Sequence, residues 1–346
     1  MNNESSSLIK AAITAIGSYL PEERLTNQDL EKIVDTDDTW IRSRTGISER
    51  RIAKNPLHTT GYLALKAAQD LCHKNDIDPT TIDLVLVATI TPDHHVSSTA
   101  PYVATELGAT NAFAFDLQAA CSGFLYGMST AASFIQSKQY KKVLLIGADK
   151  MSSIVDYTDR TTCIIFGDGA GAVLFEPSDN EHGYEGAEHG SNGIGRNFLN
   201  IPEGGSRYPI NEDTFNNGKH YLQQEGRTVF KYAVKHMAKA GKKVMDTYQL
   251  REEEIDYVLP HQANQRIIDA TAEQLNINKQ KVLSNIGQYG NTTAATLPLL
   301  LSDFESQFKK GDKLLFTAFG GGFTWGAVYL TWNYDFKTKN NRNDGY

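Results

Sequence analysis

Three residues far apart in the chain stand where strand-like segments give way to helix-like ones, and their types suit carbonyl chemistry. Cys121 lies in F-D-L-Q-A-A-C-S-G-F-L-Y-G-M, where an apolar run ends in small residues and a helical pattern begins. A sulfur at a helix start faces unpaired N–H groups and a partial positive charge, so the pattern predicts a nucleophilic thiolate. His261 follows the apolar run 255–259 and Pro260, at a strand end. Asn291 sits in Q-Y-G-N-T-T-A-A-T-L-P, where Gly287 and Gly290 flank a turn and Thr292 and Thr293 could cap a helix. Singly, each has a structural explanation: a small buried hydrophobe, a hydrogen-bonded core histidine, a turn former. Together they supply one nucleophile and two N–H donors for a polarised carbonyl. The run Phe319-Gly320-Gly321-Gly322-Phe323 adds main chain that can approach a ligand closely and contribute a further N–H beside Cys121. By contrast, Gly167-Asp168-Gly169-Ala170-Gly171 lacks the Walker lysine and runs into Ala-Val-Leu-Phe, so it reads as a strand with a structural role.

The elements that must position these residues repeat. Pro79-Thr80-Thr81-Ile82-Asp83-Leu84-Val85-Leu86 is matched by Glu252-Glu253-Glu254-Ile255-Asp256-Tyr257-Val258-Leu259, a shift of 173 residues. The segment 142–148 is matched by 313–319, and 169–174 by 324–329, with shifts of 171 and 155. Three matches in preserved order point to a duplication in which each half is an α/β layer. Helical periodicity over 61–73, 123–137, 228–247, 263–275 and 293–308 alternates with short Val/Ile/Leu runs, so helices should cover the sheets. The expected division is 1–175 carrying the cysteine, 176–336 carrying the histidine and asparagine, and a polar tail over 337–346. The segment 176–227, rich in Gly, Asn, Glu and Ser, reads as loops crossing between the halves.

Composition narrows the partners. With 346 residues, 40% hydrophobic and 22% charged, the chain reads as an ordinary globular protein with a large core. A net charge of −7 argues against general nucleic-acid binding. Cys72, Cys121 and Cys163 show neither disulfide nor metal-ligand spacing, which fits a reducing cytoplasm. The opening M-N-N-E-S-S-S has no basic region before an apolar core, and no stretch is long enough for a membrane span.

Over nearly its whole length the sequence resembles the β-ketoacyl-acyl-carrier-protein synthase III family of the thiolase-like superfamily. The resemblance is carried by D-T-D-D-T-W-I-R-S-R-T-G-I from Asp35, A-A-C-S-G-F from Ala119, F-G-D-G-A-G-A from Phe166, P-H-Q-A-N from Pro260, G-N-T-T-A-A from Gly290 and G-G-G-F-T-W-G from Gly320. It implies a five-layer αβαβα fold and a Cys-His-Asn triad of Cys121, His261 and Asn291. It further implies that Cys121 takes an acyl group from acyl-CoA, and that decarboxylation of malonyl-acyl carrier protein then drives a Claisen condensation that initiates fatty acid synthesis. No metal or redox cofactor is expected, and a homodimer is.

By motif position the backbone N–H groups of Cys121 and Gly321 would form the oxyanion hole. Trp40, Arg44, Arg160 and Asn264 would meet CoA, Arg266 and Lys231 would meet the carrier protein, and Val96 and Phe319 would wall the acyl pocket. Two departures stand out. Val96-Ser97 replaces the Phe-Pro that the family often has at the acyl gate, which leaves room for a branched or medium-length acyl group. Glu273 and Gln274 stand where well-known members carry lysines, which thins the basic patch. The readings weighed beside this one are a relative making a specialised ketide or alkylated aromatic product, a Cys-His-Asn hydrolase, and an idle CoA- or carrier-binding subunit.

Overall fold

A computed structural model describes residues 9–178 and 180–336; the opening heptapeptide and the tail 337–346 lie outside the described residues. Nine strands of four or more residues build two sheets: β1 (Ala11–Tyr19), β2 (Leu84–Ala88), β3 (Phe113–Leu117), β4 (Val143–Lys150), β5 (Asp168–Pro177), β6 (Gly183–Ser191), β7 (Tyr257–Pro260), β8 (Lys313–Gly320) and β9 (Thr324–Thr331). Seven helices of eight or more residues accompany them: α1 (Asp38–Thr45), α2 (Thr60–Asn75), α3 (Thr99–Leu107), α4 (Gly123–Gln136), α5 (Gly226–Thr247), α6 (Gln265–Leu275) and α7 (Thr296–Phe304).

The first sheet runs β1-β5-β4-β2-β3 and the second β6-β9-β8-β7. Their pairings correspond. β2 and β4 are parallel, as are β7 and β8; β4–β5 and β8–β9 are antiparallel, and each sheet adds an antiparallel edge strand, β1 or β6. The repeated sequence segments are these strands, so the fold is a duplicated α/β arrangement. β3 has no full counterpart; an isolated parallel bridge from Val258 to Val282 stands at the equivalent edge.

Because strand side chains alternate between faces, each sheet is apolar on both sides. Leu84 and Leu86 of β2 pack inward with Phe124, Leu125 and Met128 of α4, Leu297 and Leu300 of α7, and Leu314 and Phe316 of β8. Val85 and Val87 face the other way, onto α2 and α3. Across the second sheet, Val258 and Leu315 meet Val244 of α5 and Leu275 of α6. The result is five layers, α2/α3, sheet, α4/α7, sheet, α5/α6, with α4 and α7 buried at the centre.

The segment 176–227 is not all loop. Nine of its residues form β6, G-Y-E-G-A-E-H-G-S, which pairs with β9 along its length. Small residues let this edge strand lie close to its neighbours: a Cβ on Gly190 would stand 2.5 Å from the Trp325 ring. Lacking a Val/Ile-rich run, it carries none of the usual strand signal. The periodicity over 293–308 resolves into a 3-10 turn (Thr293–Ala295), α7 and a second 3-10 turn (Glu305–Gln307).

Candidate active site

The two central helices begin alike. α4 is preceded by a 3-10 turn, Ala120–Ser122, entered through Ala120 at φ 48°. α7 is preceded by the turn Thr293–Ala295, entered through Thr293 at φ 52°. The shift between the first repeated segments carries Ala120 onto Thr293, and therefore Cys121 onto Ala294. These turns pack against each other, and the cysteine turn also packs on β8. Left-handed backbone at non-glycine residues is strained, of order 1–3 kcal/mol each, and here the strain shapes both helix starts.

Cys121 is 7% exposed, and burial, with a smaller contribution from the Asp149 carboxylate, pushes its thiol up to about 12. The expectation of a resting thiolate is therefore corrected. Desolvation outweighs the turn's own N–H, which acts in the opposite direction. Gly320 closes over this cysteine so tightly that a Cβ there would stand 2.6 Å from the Cys121 nitrogen and 3.1 Å from that of Ser122. Gly321, the donor expected from motif position, comes next along the chain; a Cβ there would lie 3.7 Å from Ala120 Cβ.

His261 continues past β7, its N–H donating to Thr317 O on β8 (2.8 Å). The ring is buried, and desolvation alone lowers its pKa to about 3, so the imidazole is neutral. Its Nδ1 lies 2.7 Å from Thr296 Oγ1, at the first residue of α7. Gln262 anchors the segment from beneath: its Oε1 accepts from the N–H groups of Asn285 and Ile286, both at 3.1 Å.

Asn291 is fixed through its backbone, which donates to Ile165 O (2.9 Å) and accepts from Gly167 N–H (3.1 Å). Its Oδ1 accepts the Thr293 N–H at 2.9 Å, which leaves the side-chain NH2 as the group open to a ligand. Thr292 and Thr293 do not cap a helix as expected, since neither the turn nor α7 has a side-chain cap. The Thr293 hydroxyl donates instead to Asp149 at the end of β4, where the Ala294 N–H (3.2 Å) also binds. The other oxygen of this buried carboxylate accepts from the Thr89 hydroxyl and the Ile90 N–H, both at 2.8 Å, and from the Thr91 hydroxyl at 3.0 Å. Burial nonetheless raises the Asp149 pKa.

The sequence carries no separate signal for Thr296 or Gln262, whereas Gly320 lies in the glycine run expected to approach Cys121 closely. A polar residue ending an apolar strand was the only signal Asp149 offered.

The outer residues are more dispersed. Trp40 is flanked by Arg160 (4.9 Å from guanidinium to ring centroid) and Arg44 (5.9 Å). Asn264 caps α6, accepting from Arg266 N–H (2.8 Å) and donating to Arg44 O (3.1 Å), so it ties α1 to α6. Arg266 stacks on Phe230 of α5 (5.5 Å), one residue before the exposed Lys231. Phe319 is buried against Phe323, with ring centroids 4.8 Å apart. Val96 is 97% exposed and lines nothing within a single chain. Asp168 accepts from Ala53 N–H and Ser152 N–H, both at 2.8 Å, the structural role expected of the glycine-flanked segment.

Comparison with known proteins agrees with the arrangement. The family model described as 3-oxoacyl-[acyl-carrier-protein] synthase III matches residues 115–193, and its C-terminal companion matches 245–332. β-Ketoacyl-[acyl-carrier-protein] synthase III 2 of Bacteroides thetaiotaomicron is 52% identical over 95% of this chain and 98% of its own length. The Aquifex aeolicus 3-oxoacyl-[acyl-carrier-protein] synthase III crystal structure superposes with a TM-score of 0.86 at 44% identity, covering 93% of this chain and all of that one. The priming β-ketosynthase of the R1128 polyketide pathway gives 0.87 at 30% identity, covering 96% and 99%. The chain is a member of the β-ketoacyl-acyl-carrier-protein synthase III family.

Proposed function

We propose that this acyltransferase initiates fatty acid synthesis by condensing an acyl-CoA with malonyl-acyl carrier protein through an acyl-Cys121 intermediate. The observation that carries the reading is the meeting of two strained helix starts, one bearing Cys121 and the other holding Asn291 through the Thr293 N–H and a neutral His261 through Thr296 Oγ1.

In the first half-reaction the sulfur of Cys121 attacks the acyl-CoA carbonyl. The thiol proton leaves on the CoA sulfur, so the exchange is proton-neutral, and backbone N–H groups of Cys121 and the 320–321 segment hold the oxyanion. Removing one such donor costs about 3 kcal/mol. In the second, the malonyl group loses CO2 and becomes an enolate whose oxygen accepts from His261 Nε2–H and the Asn291 amide. The enolate carbon attacks the acyl-Cys carbonyl, the 3-oxoacyl carrier product forms, and the released thiolate takes up a proton. A neutral imidazole suits this step because it donates without giving up its proton to the oxygen. These steps draw on neither a metal nor a redox group.

For CoA, Trp40 with Arg160 and Arg44 offers an aromatic face and two cations for adenine and phosphate. Entry of the base between Trp40 and Arg160 requires that guanidinium to move outward; Asn264 would guide pantetheine. For the carrier protein, Arg266 is joined by a row on the exposed face of α5: Arg227, Lys231, Lys235, Lys239 and Lys242. Among the described residues no carboxylate pairs with the four lysines of this row, whereas the neighbouring Lys243 binds Glu188 at 2.7 Å. Like charges one turn apart are unfavourable on an isolated helix, and an acidic partner removes that cost. The row compensates for Glu273 and Gln274.

The remaining finer readings belong to the same proposal: chain halves meeting near residue 175, a cytoplasmic location, and a homodimer. The dimer is supported by β3, an edge strand whose Phe113 is 41% exposed. Pairing of two copies there would bring Val96 to the partner's site, with Phe319 on the opposite wall. The 30% identity to a polyketide-priming enzyme keeps a specialised product as the second reading. Incubation with a panel of acyl-CoAs and malonyl carrier protein tests both: 3-oxoacyl carrier products support the first, and free acid without malonyl consumption overturns it. Equal or faster use of isobutyryl- or hexanoyl-CoA than of acetyl-CoA supports the enlarged gate at Val96.

A further inference from the structure

The imidazole of His261 carries one proton on either of two nitrogens, and only one choice fits an enolate donor. Nδ1 lies 2.7 Å from Thr296 Oγ1, which also lies 3.0 Å from Thr293 O. The hydroxyl has a single proton for these two acceptors. If it goes to the carbonyl, Nδ1 must be the protonated nitrogen, and Nε2 presents a bare lone pair. If it goes to Nδ1, Nε2 carries the proton. Two features favour the second arrangement. Hydroxyl donors sit most often at 2.7–2.8 Å, and ring or backbone N–H donors at 2.9–3.0 Å. The 2.7 Å contact therefore stands at the most common hydroxyl-donor length, while 3.0 Å to the carbonyl stands at the long end of the hydroxyl range. The Thr293 carbonyl, moreover, already accepts the Thr296 backbone N–H.

We propose that Thr296 is a positioning residue whose hydroxyl donates to His261 Nδ1 and so fixes the imidazole as the Nε2–H tautomer. This rests on the reading of His261 as a hydrogen-bond donor to the enolate. A hydroxyl does this without charge. A carboxylate in its place would hold a proton on Nδ1 and favour imidazolium. Thr296 is 2% exposed and begins α7, the helix whose preceding turn donates the Thr293 N–H to Asn291 Oδ1, so one helix start orients both donors.

The test is the nitrogen-15 spectrum of histidine-labelled full-length protein, with the His261 ring signals identified by their loss in His261→Asn. The expected result is a protonated Nε2 and an unprotonated Nδ1. A wild-type ring protonated at Nδ1 overturns the inference without any variant. Kinetically, Thr296→Val should lower the condensation kcat about tenfold or more while acyl-Cys121 formation and the KM for malonyl carrier protein stay near wild type. Thr296→Ser, which restores the hydroxyl, should recover most of the rate. Thr296→Val condensing at the wild-type rate also overturns the inference. A wild-type protein that forms no acyl-Cys121 at all instead defeats the functional reading, so the two failures are distinguishable.

Discussion

The Asp149 carboxylate, at the end of a strand in one half of the molecule, accepts the hydroxyl of Thr293 in the other half, whose N–H holds Asn291 Oδ1. Ala294 N–H reinforces the contact at 3.2 Å, and four further groups from 89–91 hold the other oxygen. The bond joins the two halves directly behind the candidate site. Asp149→Ala leaves several buried donors without an acceptor, which should destabilise the protein by about 2–4 kcal/mol in urea unfolding and lower condensation more than acylation. A loss below about 0.5 kcal/mol would mean that solvent or other groups already satisfy these donors.

Gly320 makes the opposite accommodation, since it leaves space where a side chain would displace the Cys121 turn. Gly320→Ala places a carbon 2.6 Å from a backbone nitrogen, which must shift. Overpacking of this kind costs about 1–3 kcal/mol of stability. Acylation of Cys121 should fall about 100-fold or more, because an ångström of misplacement at a reacting centre costs that much. Acylation rates of the purified variant, compared with its folding midpoint, separate misplacement from unfolding.

These two contacts mark the boundary of what the sequence disclosed. Cys121, His261 and Asn291 were visible because each follows a break between periodic segments, and the duplicated strands were visible as Val/Ile/Leu runs in preserved order. β6 escaped because close packing of Gly and Ala, not β-branched side chains, makes it a strand. Asp149 escaped because its role exists only across the interface between halves, and Thr296 because its partner His261 lies 35 residues away on another element, so that no local spacing records either. The resting thiolate was the converse error. Helix-start chemistry is legible in sequence, but the depth of burial that raises the Cys121 thiol to about 12 is a property of five packed layers.

The buried His261 gives a stability signature with a definite sign. Its pKa falls from 6.5 in the unfolded chain to about 3 in the folded one, so below pH 6.5 the unfolded state binds a proton that the folded state refuses. Its contribution is full above pH 6.5 and declines as pH falls toward 3. Between pH 7 and pH 5 the wild type should lose about 2 kcal/mol more than His261→Asn does, measured by urea unfolding at both values. Equal losses in the two proteins would show that the ring is protonated in the folded state.

Trp40 supplies a second, kinetic separation. Trp40→Ala removes the face on which Arg160 now rests, and should raise the KM for acyl-CoA about tenfold while the rate at saturation stays within about twofold. The KM for malonyl carrier protein should not change, because the cationic row on α5 is untouched. A fall in saturated rate with constant KM would instead place Trp40 near the reacting atoms.

The central claim is that Cys121 carries the acyl group between two half-reactions. Peptide mass mapping after incubation with acyl-CoA alone, and again after malonyl carrier protein is added, tests it most directly. The account predicts that the acyl mass appears on the Cys121 peptide, is absent in Cys121→Ala, and disappears on addition of malonyl carrier protein as 3-oxoacyl carrier product accumulates. An acyl mass on another residue, or one on Cys121 that persists while product forms, would contradict it.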